Sequence, residues 1–242
     1  MTAPHRARAP VRKRRAPWVL RLAAAVARPL VWCAAGTSWS GEQHLPAEGS
    51  FIVASSHVSA IDPVVVGCHL EAHNAPPRFL AKHSLFEVPV LGRLLRAGEQ
   101  IPVYRQSRRA ADSLVEAREA LQEGHCVVVF PEGTFTRDPQ LWPMAGRSGV
   151  GRLALQTRRP VVPVGHWGAH RLLPPGARLP RLRPRAHIRV RAGAPVDLSD
   201  LYGRSDPAAV REATDRVMAA VTAIVAELRG ESPPPTPLDP RQ

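Results

Sequence analysis

From residue 50 onward, short apolar runs alternate with segments whose apolar residues recur at helical spacing. The apolar runs are 51–55, 78–82, 101–104, 125–130, 161–164 and 186–190. The helical patterns are 63–72, 90–97, 107–123, 149–157 and 206–230. Asp62 is predicted to cap the first of these helices, and Ser107 the third. This alternation is typical of an α/β protein whose helices cover the faces of a sheet. We therefore predict a single α/β domain over residues 41–230, with a mixed, mostly parallel sheet flanked by helices.

The first forty residues do not follow this alternation. Residues 1–17 form a basic arm, rich in Arg, Ala and Pro, that we predict to be disordered. Residues 18–40 are predicted to form an amphipathic helix. Its apolar residues recur at helical spacing, at Trp18, Leu22, Val26, Leu30 and Trp32. Either a membrane interface or the folded domain can cover such a face, and periodicity alone does not distinguish these two partners.

The N-terminal apolar stretch predicts neither a membrane span nor a secretory signal. Arg21, Arg28 and Pro29 interrupt the N-terminal apolar stretch, which is too short for a spanning helix of about 20 apolar residues. The stretch also lacks the small-residue cleavage site that would mark a secretory signal. Residues 231–242 are rich in proline and are predicted to form a loose tail.

Composition narrows the classes of partner. The chain has 242 residues, 44% hydrophobic and 22% charged, which is enough for one well-buried core. Its net charge of +13 comes almost entirely from arginine and predicts attraction to nucleic acid, anionic lipid headgroups or a polyphosphate cofactor. An aromatic fraction of only 5% and the lack of a nucleic-acid motif argue against nucleic acid. Residues 1–35 instead favour an anionic membrane surface, where each basic residue contributes about 1 kcal/mol.

Cysteine and histidine give little support to metal chemistry. Cys33, Cys68 and Cys126 are odd in number and widely spaced, which indicates neither a disulfide framework nor a cysteine-based zinc site. A reduced, cytosolic environment fits this pattern. His69 and His73 are four residues apart on a predicted helix, as zinc ligands often are, but no third ligand is evident. We predict no metal site.

Polar residues follow three of the predicted strands, at the point where each strand ends. They are His57 and Asp62 after 51–55, Arg105 after 101–104, and Glu132, Gly133 and Thr134 after 125–130. Ligands of α/β sheets bind beyond the carboxyl ends of the strands, so we expect these side chains to converge.

His57 and Asp62 suit general-base chemistry. A carboxylate can fix the tautomer of an imidazole, which leaves the other ring nitrogen to take a proton from a hydroxyl group. Arg105 offers a bidentate fork for a phosphate, and Gly133 allows close backbone approach. The His-x4-Asp spacing is weak by itself, because chance gives roughly 0.3 such pairs in a chain of this composition. The order of several motifs is more specific.

Four ordered segments resemble the blocks of the lysophosphatidic acid acyltransferase family, within the glycerolipid acyltransferases. They are His57-Val-Ser-Ala-Ile-Asp62, Gly98-Glu-Gln-Ile-Pro-Val-Tyr-Arg105, Phe130-Pro-Glu-Gly-Thr134 and Val161-Val-Pro-Val164. The chain departs from the pattern at Ser56, where many members have Asn, and at Tyr104, where an acidic residue often stands. Contacts around the acceptor headgroup are therefore expected to differ.

The resemblance implies transfer of a fatty acyl group from a coenzyme A or acyl-carrier-protein thioester to the free hydroxyl of a lysophospholipid. It implies no permanently bound cofactor, and a peripheral or monotopic place at the cytoplasmic face of the cell membrane. The roles it implies are general base for His57, its partner for Asp62, and binding of the acceptor's phosphate end for Arg105, Glu132, Gly133 and Thr134. The main alternative is a non-catalytic lipid-binding or lipid-remodelling relative.

Overall fold

The structure, a computed structural model, describes residues 16–104, 110–177, 179–182 and 185–239. Its strands are β1 (Ala35–Ser40), β2 (Phe51–Ser55), β3 (Pro77–Lys82), β4 (Ile101–Val103), β5 (Cys126–Val129), β6 (Val161–Trp167) and β7 (Ala186–Ala192). Its α-helices are α1 (Trp18–Ala34), α2 (Asp62–Ala72), α3 (Pro89–Ala97), α4 (Ala110–Gln122), α5 (Gly149–Thr157), α6 (Ala169–Leu172) and α7 (Pro207–Arg229).

The described strands form one sheet in the order β1-β7-β6-β2-β5-β3-β4. Every neighbouring pair is parallel except β6 and β7, which run antiparallel. Strand β2 lies in the middle, where Ile52 pairs with Val127 of β5 and with Val161 of β6. The predicted α/β fold with a mostly parallel sheet is confirmed.

Helices cover both faces of the sheet, which explains the continuous apolar run of β2. All five of its residues are buried. Ile52 and Ala54 face a core that includes residues of α4, α5 and α7. Phe51 and Val53 face the other core, to which α1 and α2 contribute. A central strand of this kind therefore carries no polar face, and its first polar contacts come after its carboxyl end.

Several predicted boundaries are corrected by the structure. The predicted helix over 18–40 ends at Ala34, because residues 35–40 pair with β7 as the edge strand β1. The predicted loose tail is held to the domain, since the carbonyl oxygen of Leu238 accepts a hydrogen bond from the backbone N–H of Ala145 at 2.8 Å. Residues 1–15 of the predicted arm and the predicted cap Ser107 lie outside the described residues.

Helix α1 leaves its apolar stripe uncovered. Only Val19 and Val31 of this helix are buried. The five residues at helical spacing are all exposed, namely Trp18, Leu22, Val26, Leu30 and Trp32. The folded domain therefore does not cover this face. Among the described residues, no helix combines the length and apolar character that crossing a bilayer requires.

Close packing of α5 against α7 depends on Gly151. A Cβ atom at Gly151 would lie 2.4 Å from the carbonyl oxygen of Val210 and 2.5 Å from Oγ1 of Thr214. We expect Gly151→Ala to lower the free energy of unfolding by about 1–3 kcal/mol, as overpacking does. Gly149→Ala in the same helix is the matched control, because nothing lies within 4 Å of a Cβ there. Urea denaturation of both variants measures the difference, and equal stabilities would contradict the packing account.

Candidate active site

His57 lies in the loop that connects β2 to α2, and Asp62 is the first residue of α2. The Nδ1 atom of His57 is 2.9 Å from Oδ2 of Asp62. A carboxylate oxygen only accepts hydrogen bonds, so Nδ1 carries the proton in this pair. The remaining ring nitrogen, Nε2, is then left with its lone pair. The structure thus brings together the two residues that the sequence predicted as a pair.

The Asp62 carboxylate is fully buried and organises the loop around it. Besides His57, its Oδ2 atom accepts hydrogen bonds from the backbone N–H groups of Val58 and Ser59, each at 2.7 Å. The sequence predicted Asp62 as a helix cap, which is wrong: the helix begins at Asp62, and no side chain caps it. The carboxylate turns back toward the loop because three donors meet it there.

Two phenylalanines hold the imidazole of His57. The ring of Phe130 stacks on it with centroids 4.1 Å apart, and the ring of Phe135 tilts against it at 4.4 Å. Only 14% of the His57 side chain is exposed. Phe79 stacks in turn on Phe130 at 6.1 Å. The ring is therefore restricted in orientation while it keeps a small exposed area.

Glu132 connects the second motif to His57 through the backbone. Its Oε1 atom accepts a hydrogen bond from the N–H of His57 at 3.1 Å, and its Oε2 atom accepts one from the N–H of Met144 at 3.0 Å. The side chain is fully buried. Burial raises the pKa of Glu132 to about 8, although the hydrogen bonds from Met144 and His57 lower it. Its assignment to the acceptor stays a prediction, and the contacts seen here position His57.

The turn after β5 requires glycine at position 133. Gly133 has φ +72°, and a Cβ atom there would lie 2.8 Å from Cδ and Nε of Arg147. Thr134 is half-buried on the same turn. Arg147, which the sequence reasoning missed, thus places an exposed guanidinium group beside the predicted phosphate-binding turn. Arg105 lies outside the described residues.

His166 on β6 is a second group that the sequence reasoning missed. It is fully buried, and its Nε2 atom donates to the carbonyl oxygen of Ser56 at 2.9 Å. The same nitrogen lies 3.7 Å from Oδ2 of Asp62. His166 therefore supports the loop from the neighbouring strand. The available signal was a histidine two residues after the apolar run 161–164, in the strand that pairs with β2.

His69 and His73 do not form part of this site. His69 is fully buried, and burial lowers its pKa to about 4. Its ring meets the edge of Trp39 at 5.2 Å, and Nδ1 of His73 is 2.8 Å from the carbonyl oxygen of His69. Across the described part of the chain, no three His, Cys, Asp or Glu side chains are grouped so that they could hold a metal ion.

Fold and site together define a class, an α/β protein with a histidine–carboxylate pair beyond the carboxyl end of its central strand. The family model described as Acyltransferase matches residues 37–167, more than half of the chain. The chain belongs to this family. The resemblance drawn from the four sequence motifs is thereby confirmed.

Individual relatives carry more specific names. The chain is 31% identical over 128 residues to a 1-acyl-sn-glycerol-3-phosphate acyltransferase of Borreliella burgdorferi, covering 52% of this chain and 48% of the relative. It is 26% identical over 133 residues to a protein of the same name from Bacillus subtilis, covering 55% of this chain and 63% of that relative. The chain thus spans about half the length of the first of these curated relatives and less than two thirds of the second.

A solved structure shares the fold. The crystal structure of the 1-acyl-sn-glycerophosphate (LPA) acyltransferase PlsC from Thermotoga maritima matches with a TM-score of 0.67 at 24% identity. The match covers 90% of this chain and 82% of that chain. At this identity the likeness shows the fold.

The raised pKa of Glu132 makes stability depend on pH. The ordinary pKa of 4.5 applies to Glu132 in the unfolded chain, so the carboxyl group of Glu132 keeps its proton to higher pH in the folded chain. The contribution of Glu132 to the free energy of unfolding is complete below about pH 4.5 and is lost as the pH rises to about 8. Glu132→Gln does not titrate. We therefore expect the free energy of unfolding of the wild type to fall, relative to that of this variant, as the pH rises from about 4.5 to about 8. Urea denaturation of both proteins across this pH range measures the difference. A difference that stays constant with pH would contradict the assignment.

Proposed function

We propose that the protein transfers a fatty acyl group from an acyl thioester to the free hydroxyl of a lysophospholipid. The proposed donor is acyl-coenzyme A or acyl-carrier protein, and the proposed acceptor is lysophosphatidic acid, which yields phosphatidic acid. The observation that carries the proposal is the 2.9 Å contact between His57 Nδ1 and the buried Asp62, which leaves Nε2 as a base. Membership in the Acyltransferase family and the names of the relatives support the same reaction.

The proposed mechanism is direct transfer. Nε2 of His57 removes the proton of the acceptor hydroxyl while the hydroxyl oxygen attacks the thioester carbonyl carbon. The tetrahedral intermediate collapses, the carbon–sulfur bond breaks, and the thiolate takes the proton back from the imidazolium. Asp62 accepts a hydrogen bond from Nδ1–H throughout and stabilises the imidazolium. A thioester is already activated, so no residue of the protein needs to be acylated.

The acceptor's phosphate end is assigned to Arg105, Glu132, Gly133 and Thr134. Support comes from the left-handed turn at Gly133, a residue that carries no side chain of its own. Arg147 adds a guanidinium group beside that turn. Glu132 contributes by holding the N–H of His57, so its loss would displace the base as well as the turn.

The protein is proposed to act at an anionic membrane surface, at the cytoplasmic face, as a peripheral or monotopic protein. Residues 1–35 are the proposed attachment. The exposed apolar stripe of α1 supports this assignment, because side chains such as Leu22 and Leu30 are 57% and 63% exposed and the domain leaves them uncovered.

Replacement of His57 tests the reaction. We expect His57→Ala to lower kcat about 10²- to 10⁴-fold, because a general base contributes that much. Asp62→Asn should lower the rate too, since it removes the carboxylate that orients the ring. The assay supplies labelled acyl-coenzyme A or acyl-carrier protein with a panel of lysophospholipids, and reads which acceptor becomes diacylated.

His187→Ala is the matched control, because His187 is an exposed histidine on β7, a strand that does not pair with β2. This variant should retain the wild-type rate. Full transfer by His57→Ala would remove the base assignment. Lipid binding without transfer by the wild type would instead favour the non-catalytic alternative.

A further inference from the structure

Exposed apolar side chains are concentrated in two parts of the described chain. Fourteen large hydrophobic residues are exposed there, and five of these belong to α1. Five more lie in the segment 85–94, which covers the end of the turn after β3 and most of α3. These five are Leu85, Val88, Val90, Leu91 and Leu94, with exposed fractions of 40%, 45%, 70%, 39% and 51%. The segment 85–94 therefore displays as many exposed apolar residues as the helix already proposed to meet a membrane.

Helix α3 turns its apolar face away from the protein. Gly92 is its only buried residue, and a Cβ atom there would lie 2.0 Å from the carbonyl oxygen of Phe86. At 3.6 residues per turn, Val90 and Leu94 lie on the side of the helix opposite Gly92. Arg96 lies near the Gly92 side, where its Nη1 atom donates to the carbonyl oxygen of Phe86 at 2.8 Å. The orientation is thus fixed by close contact, with the apolar side outward.

The topology places α3 on the same face of the sheet as α1. Helix α3 connects the parallel neighbours β3 and β4, and α2 connects β2 to β3 in the same direction across the sheet. Right-handed crossovers put both helices on one face. Helix α1 packs beside α2, and a Cβ atom at Gly98, directly after α3, would lie 3.0 Å from Cδ2 of Leu20. The two apolar surfaces are therefore on one side of the molecule.

We propose that the segment 85–94 is a second membrane-contact element, which docks with α1 on an anionic phospholipid bilayer. The proposal rests on the membrane association given under the proposed function and extends it to a part of the chain not assigned there. Two features indicate a bilayer as the occupant. The segment lies on the same side of the molecule as α1, and the exposed Arg93 stands on the flank of α3, in a protein of net charge +13.

Contact through two elements fixes the orientation of the protein on the bilayer, which contact through a single helix does not. Leu85 and Val88 follow the carboxyl end of β3, the edge of the sheet at which His57 follows the parallel strand β2. A bilayer that touches α1 and the segment 85–94 together limits rotation about the axis of α1. The edge that carries His57 is then held at a fixed inclination to the lipid surface.

Site-specific fluorescence tests the docking directly. The variants Val26→Cys, Val90→Cys and Val115→Cys are made in a Cys33→Ser background, labelled with an environment-sensitive dye, and mixed with vesicles of equal parts phosphatidylcholine and phosphatidylglycerol. Cys68 and Cys126 are buried and are not expected to react. Val115 on α4 is the matched control, because it is a 41% exposed valine on the opposite face of the sheet. We expect blue-shifted emission and quenching by spin-labelled lipid at positions 26 and 90, and neither at 115.

A partition measurement complements the labels. The combined change Val90→Ser, Leu91→Ser and Leu94→Ser should lower the vesicle partition coefficient at least roughly tenfold, because three large apolar side chains no longer leave water. Val115→Ser should leave the coefficient unchanged. The replaced residues are exposed, so folding of the variant can be checked by its unchanged unfolding transition.

The outcomes separate this inference from the proposed function. A response at position 26 without one at position 90 would overturn the role of the segment 85–94 and leave attachment through α1 intact. Responses at neither position would remove both. A shift at position 90 that follows protein concentration without vesicles would identify a second copy as the occupant and refute the bilayer. Acyl transfer is measured separately in mixed micelles, so its failure beside a positive response at position 90 would count against the reaction alone.

Discussion

A single buried carboxylate, that of Asp62, determines the geometry on which the proposed chemistry depends. Its Oδ2 atom receives the imidazole N–H of His57 and two backbone N–H groups of the connecting loop. Removing a carboxylate from water is costly unless it accepts hydrogen bonds, and the loop follows a course that brings three donors to one oxygen. The five-residue separation of His57 and Asp62 is closed by this loop, and not by a helix.

A second buried carboxyl group, that of Glu132, fixes the other side of the same loop. Glu132 takes the N–H of His57 on one oxygen and the N–H of Met144 on the other, and Thr136 donates its N–H to the carbonyl oxygen of His57. His57 is therefore held through its side chain by Asp62 and through its backbone by the loop after β5. The two motifs, far apart in the chain, form one unit because β2 and β5 are neighbours in the sheet. Such a unit positions the imidazole of His57 without any need for a substrate to organise it.

The sequence predicted the parts of this arrangement whose cause is local. The strands β2, β5 and β6 were predictable because central parallel strands are continuous apolar runs, and His57 and Asp62 because they follow such a run. Strand β1 was not, because its partner β7 lies some 150 residues away. Tertiary packing also sets three features that the sequence did not predict. These are the inward direction of Glu132, the contact of His166 with Ser56, and the outward apolar face of α3. Periodicity shows that an apolar face exists but not whether the domain covers it.

The central claim is that Asp62 holds His57 in the tautomer that leaves Nε2 free, and nitrogen-15 NMR of the histidine side chains tests it most directly. The signals of His57 are assigned by their loss in His57→Gln, in protein without substrate and at a pH where the imidazole is neutral. The account predicts that the proton resides on Nδ1 and that Nε2 shows the shift of an unprotonated nitrogen. A proton on Nε2 would contradict it.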